Sequence, residues 1–365
     1  MAGVYLSYPF CSQKCTYCNF ASGVFPRELA APYLQALRDE LHRTAWPWTP
    51  DTVYLGGGTP SLLPTPDLAS LLSAIPGRGW REATIEAAPG GITPEQALGW
   101  RHAGITRVSL GVQSFVTAEL ARTGRRHTAQ TVRQEIEILR AASIANFNLD
   151  LIAGLPGQTE ASWSESLEWI ERLEAPHVSV YMLEVDQDSR LGAEMLALGQ
   201  RYGAQAVPSD DRIADFYETA VERLHSLGIE RYEISNFARP GFKSAHNLKY
   251  WLREPYLGFG ADAHSFDGAW RWQNVESPAE YSRRVNEGQS PALARTPADP
   301  SAERFFLGLR LSQGIGGGWE PFTEPIERFL REGLLEVRDA RLRLTSRGVL
   351  LSNVVFAEFV SVPAL

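Results

Sequence analysis

The sequence predicts an α/β fold, in which a partial, laterally open (β/α)6 TIM-like barrel precedes a smaller α+β, winged-helix-like C-terminal domain. Six strand-like runs alternate with amphipathic helical segments, and such alternation is typical of parallel strands joined by right-handed crossovers. The second domain is predicted by size, since 365 residues exceed the roughly 250–300 at which a single core stops growing. A doubly wound open sheet is the alternative.

The predicted strands occur in chain order as VYLSYPF from Val4, TVYLGG from Thr52, ATIEA from Ala83, RVSLGV from Arg107, NFNLDLI from Asn146 and HVSVYMLE from His177. RYEIS, from Arg231, is a candidate further strand. The helices between them show apolar residues at a period near 3.6, as in the series Val132, Ile136, Leu139, the series Trp163, Leu167, Ile170 and the series Ile213, Phe216, Ala220, Leu224. Because eight units close a full barrel, six predict an open one.

Three segments are expected along the chain. Residues 1–240 form the barrel, and residues 241–300 form a connecting segment rich in Gly, Pro and aromatic residues that contains the string HNLKYW. Residues 301–365 form the C-terminal domain, where SAERFFLGLRL, PFTEPIERFLREGLL and LEVRDARLRLT predict a helix, a second helix and a hairpin.

The charge balance argues against nucleic acid or an anionic membrane surface as a partner. With 35 Lys and Arg against 43 Asp and Glu, the formal net charge is −8, so no long-range basic field surrounds the protein. The N-terminus lacks a basic segment followed by an apolar one, and no apolar run of about 18 residues occurs. We therefore expect a soluble, cytoplasmic protein.

All three cysteines of the chain lie in one short array, C-x3-C-x2-C, formed by Cys11, Cys15 and Cys18. An odd, clustered set in a reducing compartment points to metal binding rather than to disulfides. Structural zinc normally takes four ligands, and the next histidine, His42, is distant along the chain. Three thiolates suit a [4Fe–4S] cluster that leaves one iron free to bind another ligand.

Glycine or polar residues also lie at the ends of the predicted strands, where barrel sites form. The second strand ends in GGGTP, which lacks the Lys of a phosphate-binding loop but allows close approach of backbone to a ligand. The third strand carries Glu86, the fourth ends at Gln113, and the fifth contains Asp150 in an apolar run. Each residue alone is a common core or loop polar group, but together they outline a cofactor cleft.

The array C-x3-C-x2-C with Tyr17 before its last cysteine resembles the radical SAM superfamily. The resemblance implies that Cys11, Cys15 and Cys18 hold a [4Fe–4S] cluster whose free iron binds the amino and carboxylate groups of S-adenosylmethionine (SAM). A reduced cluster would then pass one electron to SAM, so an electron donor such as flavodoxin or ferredoxin is an implied partner.

A closer resemblance covers most of the chain. Tyr5, PFC, GGGTP, IEAAPG, GVQSF, Gly124-Arg125 and LDLIAGLPGQT follow, in order, the pattern of the oxygen-independent coproporphyrinogen III oxidase-like proteins. The likeness implies SAM contacts from Gly57, Gly58, Thr59, Glu86, Gln113, Arg125 and Asp150, with Tyr5 and Tyr17 near the cluster or adenosine. Two positions depart from the family pattern: Ser7 stands where His is frequent, and Ala88 replaces the usual Asn.

The proteins that the chain resembles include two functional classes. The oxidases typically have a long N-terminal arm and a further cysteine two residues after the third, whereas here the array begins at residue 11 and Phe20 occupies the latter position. The string HNLKYW, from His246 to Trp251, resembles the motif of the HemW heme chaperone family. This favours a heme chaperone that delivers heme to acceptor proteins, with the oxidase as the alternative.

HNLKYW is also chemically suited to a tetrapyrrole. His246 offers an imidazole for iron, with His264 as the next candidate, while Tyr250 and Trp251 offer flat apolar faces. Lys249, with Arg239 or Arg253, could pair with propionates. In the alternative interpretation His246 caps or packs the connection between the domains, and both aromatic residues are core. The sequence leaves open whether SAM is cleaved and whether the protein forms a homodimer.

Overall fold

Six parallel strands form the centre of a mixed twelve-stranded sheet in the computed structural model, which describes residues 1–360. They are β1 (Gly3–Tyr8), β2 (Thr52–Gly57), β3 (Glu82–Ala87), β4 (Arg107–Gln113), β5 (Asn146–Ala153) and β6 (His177–Met182). Each pairs in parallel with the next in chain order. The predicted partial (β/α)6 barrel is therefore confirmed, and the doubly wound alternative is not adopted.

The helices of this part are α1 (Ala30–Arg43), α2 (Thr65–Ser73), α3 (Pro94–Ala103), α4 (Thr117–Thr123), α5 (Ala129–Ala141), α6 (Glu160–Arg172), α7 (Arg190–Leu196) and α8 (Asp210–Ser226). Local chemistry fixes several of their ends. Thr128 and Thr159 begin α5 and α6 with reciprocal side-chain to backbone capping bonds, which satisfy amides that a helix N-terminus leaves free. Gly104 ends α3 in the left-handed conformation at φ 106°.

The sheet continues on both sides of the barrel strands. Next to β6 lies a short hairpin, β7 (Glu230–Arg231) and β8 (Asn236–Ala238), whose β8 is antiparallel to β6. The candidate strand RYEIS is thus part of a hairpin and not a seventh parallel unit. The segment 241–300 contributes α9 (Ala245–Trp251), β9 (Tyr256–Phe259), β10 (His264–Phe266), β11 (Trp270–Gln273), α10 (Pro278–Asn286) and β12 (Thr296–Pro297).

Strand β9 pairs in parallel with β1, and β10 to β12 follow as antiparallel neighbours. The segment expected as a connection therefore extends the barrel sheet. In the part of the chain that the structure describes, the outermost strands β12 and β7 are not paired with each other, so the barrel stays open on one side.

The C-terminal domain comprises α11 (Pro300–Gly308), α12 (Thr323–Arg331), the hairpin β13 (Leu335–Arg338) and β14 (Arg341–Leu344), α13 (Ser346–Leu350) and α14 (Ser352–Ala357). The predicted helix, helix and hairpin are present, and the two short final helices were not predicted. Phe305, Phe322 and Phe359 pack against one another with ring centroids 4.7–5.2 Å apart and form the aromatic centre of this domain.

The two faces of the barrel strands differ in chemistry. On β4, Val108, Leu110 and Val112 are fully buried beneath the surrounding helices. The alternate positions, beginning with Arg107 and Ser109, point to the inside, because successive side chains of a strand face opposite sides. The barrel is therefore lined by polar groups rather than filled by an apolar core. Within residues 1–360, every helix falls short of the length and apolar character that crossing a membrane requires.

Candidate functional site

The cysteine array follows β1 directly, at the end of the barrel where the parallel strands terminate. All three thiols are partly exposed and none is in a disulfide. The loop is fixed at its base, because the Cys11 amide donates to Gly23 O at 2.9 Å and the Gly23 amide donates to Pro9 O at 3.0 Å. Burial raises the pKa of the Cys11 thiol, while contacts with the side chains of Thr59 and Ser22 oppose the rise.

The GGGTP loop after β2 lies against this array. The Gly58 amide donates to Tyr8 O at 2.8 Å, and the Thr59 amide donates to Phe10 O at 3.0 Å. A Cβ at Gly58 would lie 2.7 Å from the carbonyl carbon of Pro9, so only glycine permits this approach. Gly57 has φ 105°, which also favours glycine. The two loops therefore act as one unit at the barrel mouth.

A cavity of about 410 Å³ opens beside the array, and Cys15, Thr59, Ala88 and Arg125 are among the residues that line it. Arg125 reaches it from the GR pair after α4, and its Nη1 donates to Gly111 O at 2.6 Å. Its guanidinium also lies against Tyr17 and Cys15. The Nε of Arg125 is buried and has no partner among the residues described. Ala88, one of the two departures from the family pattern, offers a methyl group to this cavity.

Gln113 joins this group through an irregularity of the backbone. The register of β4 against β5 shifts between Leu110 and Gln113, and Gln113 adopts φ 69°. A Cβ at Gly111 would lie 3.0 Å from Gln113 Nε2 and 3.4 Å from Arg125 Nη2, which shows that both side chains converge on Gly111. The structure thus brings Cys15, Thr59, Gln113 and Arg125 to one end of the barrel.

Glu86 and Asp150 lie deeper, inside the barrel. Tyr54 Oη donates to Glu86 Oε1 at 2.9 Å, and burial raises the pKa of Glu86 to about 7. Asn148 Nδ2 donates to Asp150 Oδ1 at 2.7 Å, and burial raises the pKa of that carboxyl as well. Tyr5 faces Tyr54 with ring centroids 6.1 Å apart. These half-buried polar groups form a second part of the candidate site, below the cavity.

Sequence reasoning missed other residues of the barrel interior. Arg107 is buried, and its Nε has no partner within residues 1–360. Its positive charge opposes the rise in the pKa of both Glu86 and Asp150. Tyr54 and Tyr181 also contribute to the lining. Polar residues at alternate positions of otherwise apolar strands indicate such a polar lining. These positions lie within the strands, whereas the sequence analysis considered mainly the strand ends.

HNLKYW forms α9, which lies at the opposite end of the barrel from the cysteines. The Nδ1 of His246 lies 2.9 Å from the hydroxyl of Thr52, the first residue of β2. The amides of Ala245 and His246 donate to the carboxylate of Glu82, the first residue of β3, at 2.9 and 3.0 Å. Helix α9 therefore closes the floor of the barrel rather than its mouth.

His246 does not present a free nitrogen for iron in this structure. It is fully buried, and its Nε2 lies 2.9 Å from the Tyr250 hydroxyl while Nδ1 contacts Thr52. Burial, together with the charges of Lys249 and Arg107, lowers the pKa of His246 to about 3. The arrangement favours the alternative in which this histidine is structural, because an axial role requires one of these two bonds to break.

The neighbouring candidates for heme contacts have different environments. Lys249 is buried between Asp51 and Glu254, at 2.7 and 3.0 Å, so its charge is not available to propionates. Trp251 is partly exposed, Arg310 lies over its ring at 4.3 Å, and His264 is exposed on β10. Tyr250 is partly exposed and packs edge-on against Tyr256 at 4.7 Å.

The types of residue at the barrel mouth suit a [4Fe–4S] cluster with SAM. Three thiols without a fourth protein ligand, and a guanidinium with a buried, unpartnered Nε, suit an anionic cluster and the carboxylate of a bound amino acid. Across residues 1–360, no group of three or more His, Cys, Asp and Glu is arranged to hold a metal ion. The assignment of the cysteines therefore depends on their spacing and on relatives of the chain.

Two family profiles match the chain. The radical SAM superfamily profile matches residues 5–170, and the profile of the HemN C-terminal domain matches residues 296–351. Among solved structures, coproporphyrinogen III oxidase (HemN) from Escherichia coli, described as a radical SAM enzyme, superposes with a TM-score of 0.84 at 21% identity. The match covers 98% of this chain and 89% of that one, and it shows a shared fold.

Curated relatives extend over the full length. Heme chaperone HemW of Bacillus subtilis is 34% identical, with 98% of this chain and 99% of the relative covered. Heme chaperone HemW of Mycobacterium tuberculosis is 36% identical, with 97% and 93% covered. Identity at this level over whole chains, together with both profiles, establishes that the chain belongs to the HemW family within the radical SAM superfamily.

Proposed function

We propose that the chain is a heme chaperone that binds a [4Fe–4S] cluster, SAM and heme, and that delivers heme to acceptor proteins. The observation that carries the proposal is the full-length similarity to proteins named heme chaperone HemW, combined with the intact C-x3-C-x2-C array. Cys11, Cys15 and Cys18 would hold the cluster. When bound, the cluster supplies one-electron reduction, which requires a donor such as flavodoxin or ferredoxin.

At the barrel mouth, the residues of the protein would bind and orient SAM. Gly57, Gly58 and Thr59 would accommodate the methionine end of SAM, and support for this comes from their packing against the cysteine loop. Arg125 and Gln113 converge above the barrel interior, where a guanidinium and an amide suit a carboxylate or ribose hydroxyls. Glu86, Asp150, Tyr5 and Tyr17 would complete the polar surroundings.

The cluster and heme assignments are tested together by anaerobic purification with iron, labile sulfide and heme quantified on the same sample. We expect about four irons and four sulfides per chain, added heme to bind, and the absorption of the cluster to shift when SAM is added. A Cys11→Ala, Cys15→Ala, Cys18→Ala variant should lose iron and sulfide but remain folded. Stoichiometric zinc without sulfide in the parent protein contradicts the cluster.

A further inference from the structure

A second cleft, distinct from the cavity beside the cysteines, lies where α9 meets the C-terminal domain. Its volume is about 250 Å³, and its walls come from the end of α9, from α11, from the glycine-rich loop 313–316 and from β14. One wall is apolar and includes Trp251, Leu311 and Ile315, the last two of which are buried. Arg253, Arg304 and Arg341 also line the cleft, which therefore combines apolar residues with positively charged ones.

Two of these arginines have no compensating charge. Arg304 donates to Gly318 O at 3.0 Å and to Gly316 O, and Arg341 donates to Gln313 O at 2.6 Å and to Gly314 O. These carbonyl partners position the side chains but leave their positive charges unpaired. Neither arginine forms an ion pair with any residue in the range 1–360. In a chain with a net charge of −8, two unpaired arginines in one cleft favour an anionic ligand.

Arg253 adds to this positive charge rather than cancelling it. Its Nε lies 2.9 Å from Glu303 Oε2, but Arg271 also contacts Glu303, at 2.5 Å from Oε1. One carboxylate is therefore shared between two guanidinium groups. The cleft combines an excess of positive charge with an apolar wall, and a ligand that matches both is flat, apolar and acidic along one edge.

We propose that this cleft binds the propionate-bearing edge of heme, with the carboxylates at Arg304 and Arg341 and the macrocycle against the apolar wall at Trp251. This inference rests on the proposed heme chaperone function and locates its cargo site. None of the residues lining the cleft is His, Cys, Met or Tyr, so the contact is with the propionates and the ring edge and not with iron.

The size of the cleft agrees with temporary binding. Pockets that enclose a ligand of drug size are roughly 300–1,000 Å³, whereas this cleft measures about 250 Å³. It holds an edge of the macrocycle and leaves the remainder exposed. An acceptor protein can then contact the exposed part of the ring before the propionates are released.

The test is a heme titration of the full chain, prepared anaerobically and monitored by absorbance. Arg304→Gln with Arg341→Gln is expected to raise the Kd for heme at least about tenfold, because two charge-assisted contacts are lost. The control is Arg331→Gln with Arg347→Gln, which removes the same charge from exposed positions of the same domain and should change the Kd less than about twofold. Equal binding by the cleft variant and the parent overturns the inference.

Two further arms separate charge from support of the glycine loop. Arg304→Lys with Arg341→Lys retains charge and should recover most of the affinity; a loss as large as with Gln contradicts the inference. Heme dimethyl ester lacks the free carboxylates and should bind the parent about tenfold more weakly than heme does. The Gln variant should bind the ester and heme with equal affinity. Ester binding to the parent that is as tight as heme binding also contradicts the inference. A parent protein that binds no heme overturns the chaperone proposal itself, and the inference with it.

Discussion

His246 illustrates how a residue with metal-binding chemistry can serve the fold instead. Both of its ring nitrogens are occupied, one by the Thr52 hydroxyl and the other by the Tyr250 hydroxyl. A neutral imidazole donates through one nitrogen and accepts through the other, so it links the start of β2 to the end of α9. Its burial explains why it stays uncharged.

We expect His246→Ala to lower the free energy of unfolding by about 2–4 kcal/mol, since it leaves two hydroxyls without a partner and opens a cavity. Urea denaturation measures the change. His102→Ala, at an exposed position, is the control and should shift stability by less than about 0.5 kcal/mol. Iron content per folded chain should not change, because the cysteines lie at the other end of the barrel; loss of iron without loss of stability contradicts a structural role.

Glu86 predicts a pH dependence of the ligand-free protein. Its pKa is raised to about 7 by burial, whereas in the unfolded chain it is near 4.5. Between these values the folded chain holds a proton that the unfolded chain has lost, so this group makes folding less favourable as pH rises from about 4.5 to 7. A glutamine still accepts the hydrogen bond from Tyr54 but cannot ionise.

Glu86→Gln should therefore raise the free energy of unfolding at pH 8 by about 1–3 kcal/mol and leave it nearly unchanged at pH 4.5. Denaturation of the ligand-free parent and variant at the two pH values measures the difference. A difference of the same size at both pH values would show that packing, and not ionisation, is responsible.

At the scale of elements, the barrel mouth depends on the contact between the loops after β1 and β2. The amides of Gly58 and Thr59 donate to carbonyls of the chain that enters the cysteine array. The GGGTP loop is therefore a support for the cysteine loop as well as a candidate surface for SAM. Strand pairing between β1 and β2 places the two loops side by side.

Gly58→Ala should reduce cluster loading several-fold, because its Cβ would lie 2.7 Å from the carbonyl carbon of Pro9 and force the two loops apart. The control is Gly91→Ala, where no atom lies within 4 Å of the added Cβ and φ is not in the left-handed region. Iron and sulfide after anaerobic reconstitution measure the effect. Full loading of Gly58→Ala would mean that the contact does not position the cysteines.

At the scale of the molecule, a shared fold does not specify the reaction. The chain superposes on a coproporphyrinogen III oxidase, yet Phe20, which is 70% exposed, occupies the position at which the resemblance to those oxidases implies a further cysteine. Function therefore depends on particular sites, for which the candidates here are the barrel mouth and the proposed heme cleft at the C-terminal domain.

We expect the reduced, cluster-loaded chain to produce no protoporphyrinogen from coproporphyrinogen III in the presence of SAM. Anaerobic incubation followed by chromatography of the oxidised porphyrins measures this, with an authentic oxidase as the positive control. Many turnovers per chain would instead support the oxidase alternative.

Much of the fold and part of the site could be predicted from the sequence. The apolar period of α5, at Val132, Ile136 and Leu139, is local, so the helix was predicted with its buried face. The cysteines and the GGGTP loop follow their strands directly, and parallel strands bring their ends to one edge. The hairpin at RYEIS could not be predicted from the sequence, because the two-residue strand β7 is too short to show a pattern.

By itself the sequence determined the order of the six barrel strands and their helices, the three-thiol array and the polar strand positions, since these depend on spacing along the chain. Only the tertiary structure decided that HNLKYW closes the floor of the barrel, because the contact of His246 with Thr52 joins residues 194 positions apart. The same holds for the cleft of Trp251, Arg304 and Arg341, whose residues come from three elements. Periodicity reports which face of an element is buried, but not which distant element covers it.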